Sequence, residues 1–166
     1  SRVASRSAAH FNSQDVANTC WAYSTAEISA PRLFAEFATT CVHAVDGMKA
    51  QELANLAWAW ERQHGEKQEQ HVAGEAGARL TRAILRAAAR RLDQFTPQGL
   101  GMLAMAFAYL PERVDSCDLA ELADGIHALI LRLHQTQSTA SIRSVDIAGM
   151  VWAMSMVRIR DERLLG

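Results

Sequence analysis

The chain has 166 residues, 49 % of them apolar, and 17 Lys and Arg stand against 18 Asp and Glu for a formal net charge of -1. That length carries a domain with a real core, the apolar content excludes a disordered chain, and the charge excludes a uniformly basic nucleic-acid binder. No apolar run approaches the roughly 18–20 residues of a membrane helix, and the three cysteines, Cys20, Cys41 and Cys117, are too widely spaced for a disulfide framework or a CxxC metal site.

In chain order, Ser1 to His10 reads as the tail of a helix belonging to a preceding unit. Phe11 to Thr25 predicts a helix, with Asn12 able to cap it and Asp15 in its first turn, where the helix dipole favours a carboxylate. Pro31 to Val45 predicts a second helix, and Pro31 suits its first turn. Met48 to Arg62 repeats the first pattern. Residues 63–78, QHGEKQEQHVAGEAGA, are polar and Gly-containing with little periodicity and read as a mobile loop. Arg79 to Leu92 predicts the next second helix through Leu80, Ile84, Ala87, Ala88 and Leu92. Phe95 to Tyr109 is a third copy of the first pattern, with Thr96 as N-cap and Pro97 at N1. Residues 111–116 and 135–141 are linkers around a helix from Asp118 to Leu133, and Ile142 to Met156 is a fourth copy. Asp161 to Gly166 reads as the opening of a following second helix, so the parent polypeptide is expected to continue in both directions.

The four copies, FNSQDVANTCWAYST, MKAQELANLAWAWER, FTPQGLGMLAMAFAY and IRSVDIAGMVWAMSM, align without gaps, their starts 37, 47 and 47 residues apart. Phe11, Met48, Phe95 and Ile142 open them, and Val16, Leu53, Leu100 and Ile147 follow five positions on. With the second column as N-cap, these two columns are the N′ and N4 positions of a hydrophobic staple. Lys49 and Arg143 occupy the cap column in copies two and four, where capping is expected to be poorer. Ala22, Ala59, Ala106 and Ala153 form a column of small residues that lets another helix approach closely. A helical hairpin cannot hide its own apolar stripe, but stacking hairpins side by side does so. The expected fold is therefore all-α, a right-handed α-solenoid of stacked helix-turn-helix repeats. It has about three and a half repeats with a period near 37 and insertions: the end of a preceding repeat at 1–10, repeat one at 11–47, repeat two at 48–94 with the insert 63–78, repeat three at 95–141, and the first half of repeat four at 142–166.

The run Phe11, Gln14, Val16, Ala17, Asn18, Trp21, Ala22, the run Met48 to Ala59 and the start Phe95-Thr96-Pro97-Gln98-Gly99-Leu100 resemble the F-x-P-Q-x-L-A-N-x-L-W-A-x-A helix of octotricopeptide repeats and of related arrays in RAP-domain proteins. The resemblance implies RNA binding in a mitochondrion or plastid, with a role in RNA stability, processing or translation. It also admits a structural place in an organellar ribosome.

Read from the residues themselves, the main candidate site is Arg79, Arg82, Arg86 and Arg90, spaced 3, 4 and 4 apart on one helix face with Arg91 beside it. Guanidinium groups along about 16 Å of helix can neutralise several RNA phosphates. The alternative is a solvated face paired to Glu66, Glu69 and Glu75. From Met48 to Leu92, eight Lys and Arg against five Glu give +3, and from Asp93 to Ser141, two Arg against six acids give -4, so a basic groove does not run through the chain. The acidic helix, with Asp118, Glu121 and Asp124, suits a protein partner, and a protein–protein scaffold is the second reading. Trp21, Trp58 and Trp152 can stack on bases, but Met105 takes their column in copy three, which reads as core packing, and Trp60 reads as core as well. The pairs Gln14–Asn18 and Gln51–Asn55 can read base edges or cross-link adjacent repeats, the second being the favoured reading. The histidines are scattered, His127 and His134 are two turns apart, and no phosphate loop or nucleophile elbow is present. No enzyme, cofactor, metal site or small-molecule substrate is expected.

Overall fold

A computed structural model of the chain describes residues 11–64 and 74–109 together with the helical positions Asp124, Ser144, Val145, Ala148, Val151, Trp152 and Ser155. The expectations for Ser1 to His10, both linkers, Cys117, most of the helix from Asp118 to Leu133, and Asp161 to Gly166 lie outside the described residues.

The protein is all-α: the described residues hold five helices and no strand. They are α1 (Ser13–Thr25), α2 (Pro31–Cys41), α3 (Ala50–His64), α4 (Gly74–Ala89) and α5 (Pro97–Tyr109). Single 3-10 turns at Val45–Gly47 and Leu92–Gln94 lead into α3 and α5.

The first helices start in one register. The N–H groups of Val16, Leu53 and Leu100 donate to the carbonyls of Asn12, Lys49 and Thr96 at 3.1, 3.0 and 2.9 Å. Asn12 Oδ1 accepts from the Asp15 N–H at 2.9 Å, and Asp15 Oδ2 accepts from the Asn12 N–H at 3.1 Å, a complete capping box. Thr96 Oγ1 accepts from the Gly99 N–H at 3.1 Å. Lys49 has no acceptor to offer as a cap, so the carboxylate three residues on does half the work: Glu52 Oε2 accepts from the Lys49 N–H at 3.1 Å. The staple residue Phe11 packs on Phe37 of α2, with ring centroids 5.7 Å apart.

The ends of α1 and α2 follow from local chemistry too. After α1, Glu27 takes φ +56, the Ile28 N–H donates to the Tyr23 carbonyl at 2.9 Å and the Glu27 N–H to that of Ser24 at 3.3 Å. This is a Schellman stop built on a side-chain-bearing residue where glycine is usual. Gln63 of α3 holds the resulting corner, donating to the Ile28 carbonyl at 3.0 Å and accepting from the Ala30 N–H at 3.2 Å. At the other corner the two 3-10 turns repeat each other at an offset of 47. Cys41 accepts from the Ala44 N–H at 2.9 Å as Ala88 does from Arg91 at 2.9 Å, and Val45 accepts from Met48 at 3.1 Å as Leu92 does from Phe95 at 3.2 Å.

Alternate helices pack together: α1 lies against α3, α3 against α5, and α2 against α4. The buried core between these sets contains Val16, Phe34, Phe37, Leu53, Trp60, Leu80, Ile84, Leu100 and Leu103. Phe34 and Trp60 meet with centroids 5.9 Å apart. The column of small residues works as the sequence suggests between α1 and α3, where Ser24 Oγ donates to the carbonyl of buried Ala59 at 3.0 Å.

Three expectations are corrected. Trp21 and Trp152 are 43 % and 38 % exposed and Trp58 is half-buried, so the tryptophan column is not core; the buried indole is Trp60, two positions on. The column sits at the border between the packed and outward sides of its helix. The amide pairs do not bridge repeats: Gln51 Nε2 donates to Asn55 Oδ1 of its own helix at 2.8 Å, and Gln14 and Asn18 are exposed. Both ends of the loop expected at 63–78 are helical, because α3 runs to His64 and α4 begins at Gly74; residues 65–73 lie outside the described ones. The small residues there favour a packed helix over a break: Gly77 is buried, and Thr81 Oγ1 donates to its carbonyl at 2.9 Å.

Candidate nucleic-acid interface

Helix α4 is strongly two-sided. Leu80, Thr81, Ile84, Leu85, Ala87 and Ala88 are buried, while Arg79, Arg86 and Arg90 are exposed and Arg82 is half-buried. Arg90 follows the last residue of α4, but its N–H still donates to the Arg86 carbonyl at 3.4 Å, which keeps it on the same face. All four arginines expected from the sequence therefore stand on one outward stripe.

Their electrostatic surroundings divide them. Arg82 Nη2 pairs with Glu75 Oε1 at 3.2 Å, so one of the three expected acidic partners is in place; Glu66 and Glu69 lie outside the described residues. Arg90 Nη2 pairs with Asp46 Oδ1 at 2.8 Å, a partner from the preceding turn that the sequence does not signal. Arg79 makes no ion pair within the described residues. The two exposed pairs are each worth about 0–1 kcal/mol, little enough for a phosphate to displace the carboxylate.

Arg91 has a different task. Its Nη1 donates to the carbonyls of Asp46 at 3.1 Å and Met48 at 2.9 Å, and its Nε donates to that of Ala87 at 3.1 Å. It ties α4 to the turn that precedes α3 and is not offered to a ligand.

Sequence reasoning missed Arg32. The offset of 47 that superimposes the two turns also aligns Leu33 with Leu80 and Arg32 with Arg79, and Leu33 and Leu80 are both buried. Arg32 is exposed on α2, the helix packed against α4, and His43 is exposed at the place of Arg90. Alignment of the second helices backward from their shared turns would have found both.

A second surface lies on the outward side of the first helices, where Asn18 and Trp21 of α1 and Gln51, Asn55 and Trp58 of α3 are exposed or half-buried. The Arg62 guanidinium lies 5.1 Å from the centroid of the Trp58 ring, and the same side chain pairs with Glu27 at 3.5 Å. That ring face is already occupied by a cation, in the place a stacking base would take.

Among the described residues no group of three or more His, Cys, Asp or Glu can hold a metal ion, and no helix is long and apolar enough to cross a membrane. Burial pushes the thiols of Cys20 and Cys41 above the ordinary value of 9.0, so neither is an activated nucleophile. No protein-family model matches the chain, and no curated protein or solved structure matches it either.

Proposed function

We propose that this chain is a stretch of right-handed α-solenoid, octotricopeptide-like in its repeats, that binds single-stranded or ribosomal RNA in a mitochondrion or plastid and serves RNA stability, processing or translation. About three and a half hairpins make up the array. The side-by-side packing of α1, α3 and α5 and the duplicated turns support the repeat reading. The resemblance of the repeated helix supports the organellar RNA role. The protein acts as a binding surface, not as an enzyme.

One observation carries the RNA reading: Arg79, Arg82, Arg86 and Arg90 share the outward side of α4. The RNA backbone crosses that stripe with its phosphates on Arg79 first, and on Arg82, Arg86 and Arg90 as they leave the partners the chain supplies, Glu75 for Arg82 and Asp46 for Arg90 among them. Such binding is dominated by counterion release and weakens steeply with salt. The test is the double substitution Arg79→Glu with Arg86→Glu, assayed by filter binding with a mixed-sequence oligoribonucleotide at low salt. Two cations that attract phosphate become two anions that repel it, so a loss of about tenfold or more at unchanged helicity is the expected result. Unaltered binding would sink the mechanism.

A protein scaffold is the second reading. The ion pairs at Arg82 and Arg90 favour it, because carboxylates of the chain itself already engage those two guanidinium groups. It expects no RNA affinity above that of a neutral control protein and a stable partner on the acidic stretch from Asp93 to Ser141.

A further inference from the structure

The arginine stripe of α4 has a counterpart on α2 at one level only. The register that aligns Leu33 with Leu80 sets Arg32 level with Arg79, Ala35 with Arg82, Thr39 with Arg86 and His43 with Arg90. A guanidinium stands on both helices in the first of these rows alone. Contacts at the far end support the register. Arg90 pairs with Asp46 at 2.8 Å, and Arg91 Nη1 donates to the Asp46 and Met48 carbonyls, so the end of α4 lies against the turn that follows α2. The two helices therefore run side by side in the same direction, about 8–10 Å apart where they pack.

Both arginines of the first row point away from the core. At about 100° per residue, the buried residues of α2, Leu33, Phe34, Phe37, Ala38 and Cys41, centre about 170° from Arg32, and those of α4 centre about 160° from Arg79. A neighbouring repeat packs on the flank of a second helix, so the row stays open however far the array continues. Neither guanidinium makes an ion pair or a hydrogen bond with a described residue, and Glu36, half-buried one turn after Arg32, pairs with neither. In the second and fourth rows, by contrast, Glu75 engages Arg82 and Asp46 engages Arg90.

We propose that the RNA strand enters the arginine stripe from α2, its backbone passing across the second helices from Arg32 to Arg79 with a phosphate on each. The inference rests on the RNA reading above and adds to it a direction and a further contact residue. Two unpaired cations one helix spacing apart take the backbone without displacing a carboxylate. A path down α4 must displace Glu75 and Asp46 in turn. Movement across the helices also follows the axis along which repeats accumulate, so each added repeat lengthens the track.

The test is filter binding of a mixed-sequence oligoribonucleotide as a function of salt, with unchanged circular dichroism verifying that each variant folds. Arg32→Gln should weaken binding several-fold at low salt and lower the slope of log affinity against log salt by about 0.7, the share of one phosphate contact to a single strand. Arg79→Gln should do the same, and the double variant should lose about twice as much slope. Arg62→Gln removes the same charge from an exposed residue of α3 and should leave the slope where it was. A shift for Arg79→Gln without one for Arg32→Gln would overturn the crossing from α2 and leave the α4 site standing. No shift for either would remove the α4 site as well. An equal shift for Arg62→Gln would show that the strand responds to overall charge and not to this row, which also overturns the proposal.

Discussion

Arg90 Nη2 stands 2.8 Å from Asp46 Oδ1, joining the end of α4 to the turn that precedes α3, forty-four residues earlier in the chain. Both side chains are largely exposed, 65 % and 79 %, so the pair contributes about 0–1 kcal/mol to stability. It nevertheless withholds one cation from the arginine stripe.

Replacing that carboxylate should separate the two effects. Asp46→Asn is expected to change the unfolding free energy in urea by less than about 1 kcal/mol. It should also tighten RNA binding and steepen the slope of log affinity against log salt by about 0.7, the share of one further phosphate contact to a single strand. An unchanged slope would place Arg90 off the path of the backbone.

Glu27 is the one described side-chain-bearing residue with positive φ. The left-handed region costs such a residue about 1–2 kcal/mol that glycine does not incur. Its exposed pair with Arg62 at 3.5 Å returns only a fraction of that. Glu27→Gly should therefore raise stability by about 1 kcal/mol in urea unfolding. A loss of stability would mean that the Arg62 pair matters more than its exposure suggests.

Cys20 and Cys41 are buried thiols whose pKa values are raised, for Cys20 chiefly by burial and then by proximity to Cys41, and for Cys41 by burial. Unfolding restores the ordinary value of 9.0. Below it both states hold the proton and stability is unaffected. Above it the unfolded chain ionises first, so stability falls as pH rises. In a Cys117→Ser background, urea midpoints should decline as the pH is raised through about 9 toward about 10, and a thiol reagent should label the native protein only at the rate of unfolding. Rapid labelling of the native state at about pH 8, below the ordinary thiol range, would contradict the burial of both groups.

The starts of the first helices are legible in the sequence because capping is local chemistry. Asn12 with Asp15, and Thr96 with Pro97, announce helices whose first residues are Ser13 and Pro97. Lys49 is read as a poor cap because the help it receives from Glu52 involves a second side chain, itself held by Ser13 from another helix. The tryptophan column misleads for a geometric reason. Neighbouring columns are about 100° apart around a helix, so a stripe broad enough to touch two neighbours also includes its own border. Whether Trp58 or Ala59 lies deeper depends on where α5 sits, which no single helix encodes. The arginine stripe is fully readable as a stripe. Its division into Arg79, paired Arg82 and Arg90, and buttressing Arg91 is not, because Asp46 and the Met48 carbonyl arrive from a distant part of the chain.

The duplicated turns also dictate where this architecture tolerates change in length. From Leu33 to Met48 and from Leu80 to Phe95 the spacing is the same, whereas Met48 to Leu80 is ten residues longer than Phe11 to Leu33. All of the extra length between the two units thus falls between a first helix and its second. A peptide grafted between His64 and Gly74 should leave the packing of α1, α3 and α5 undisturbed. One residue added between Ala89 and Phe95 would instead break the hydrogen bonds from the Arg91 N–H to Ala88 and from the Phe95 N–H to Leu92 that set the start of the following helix.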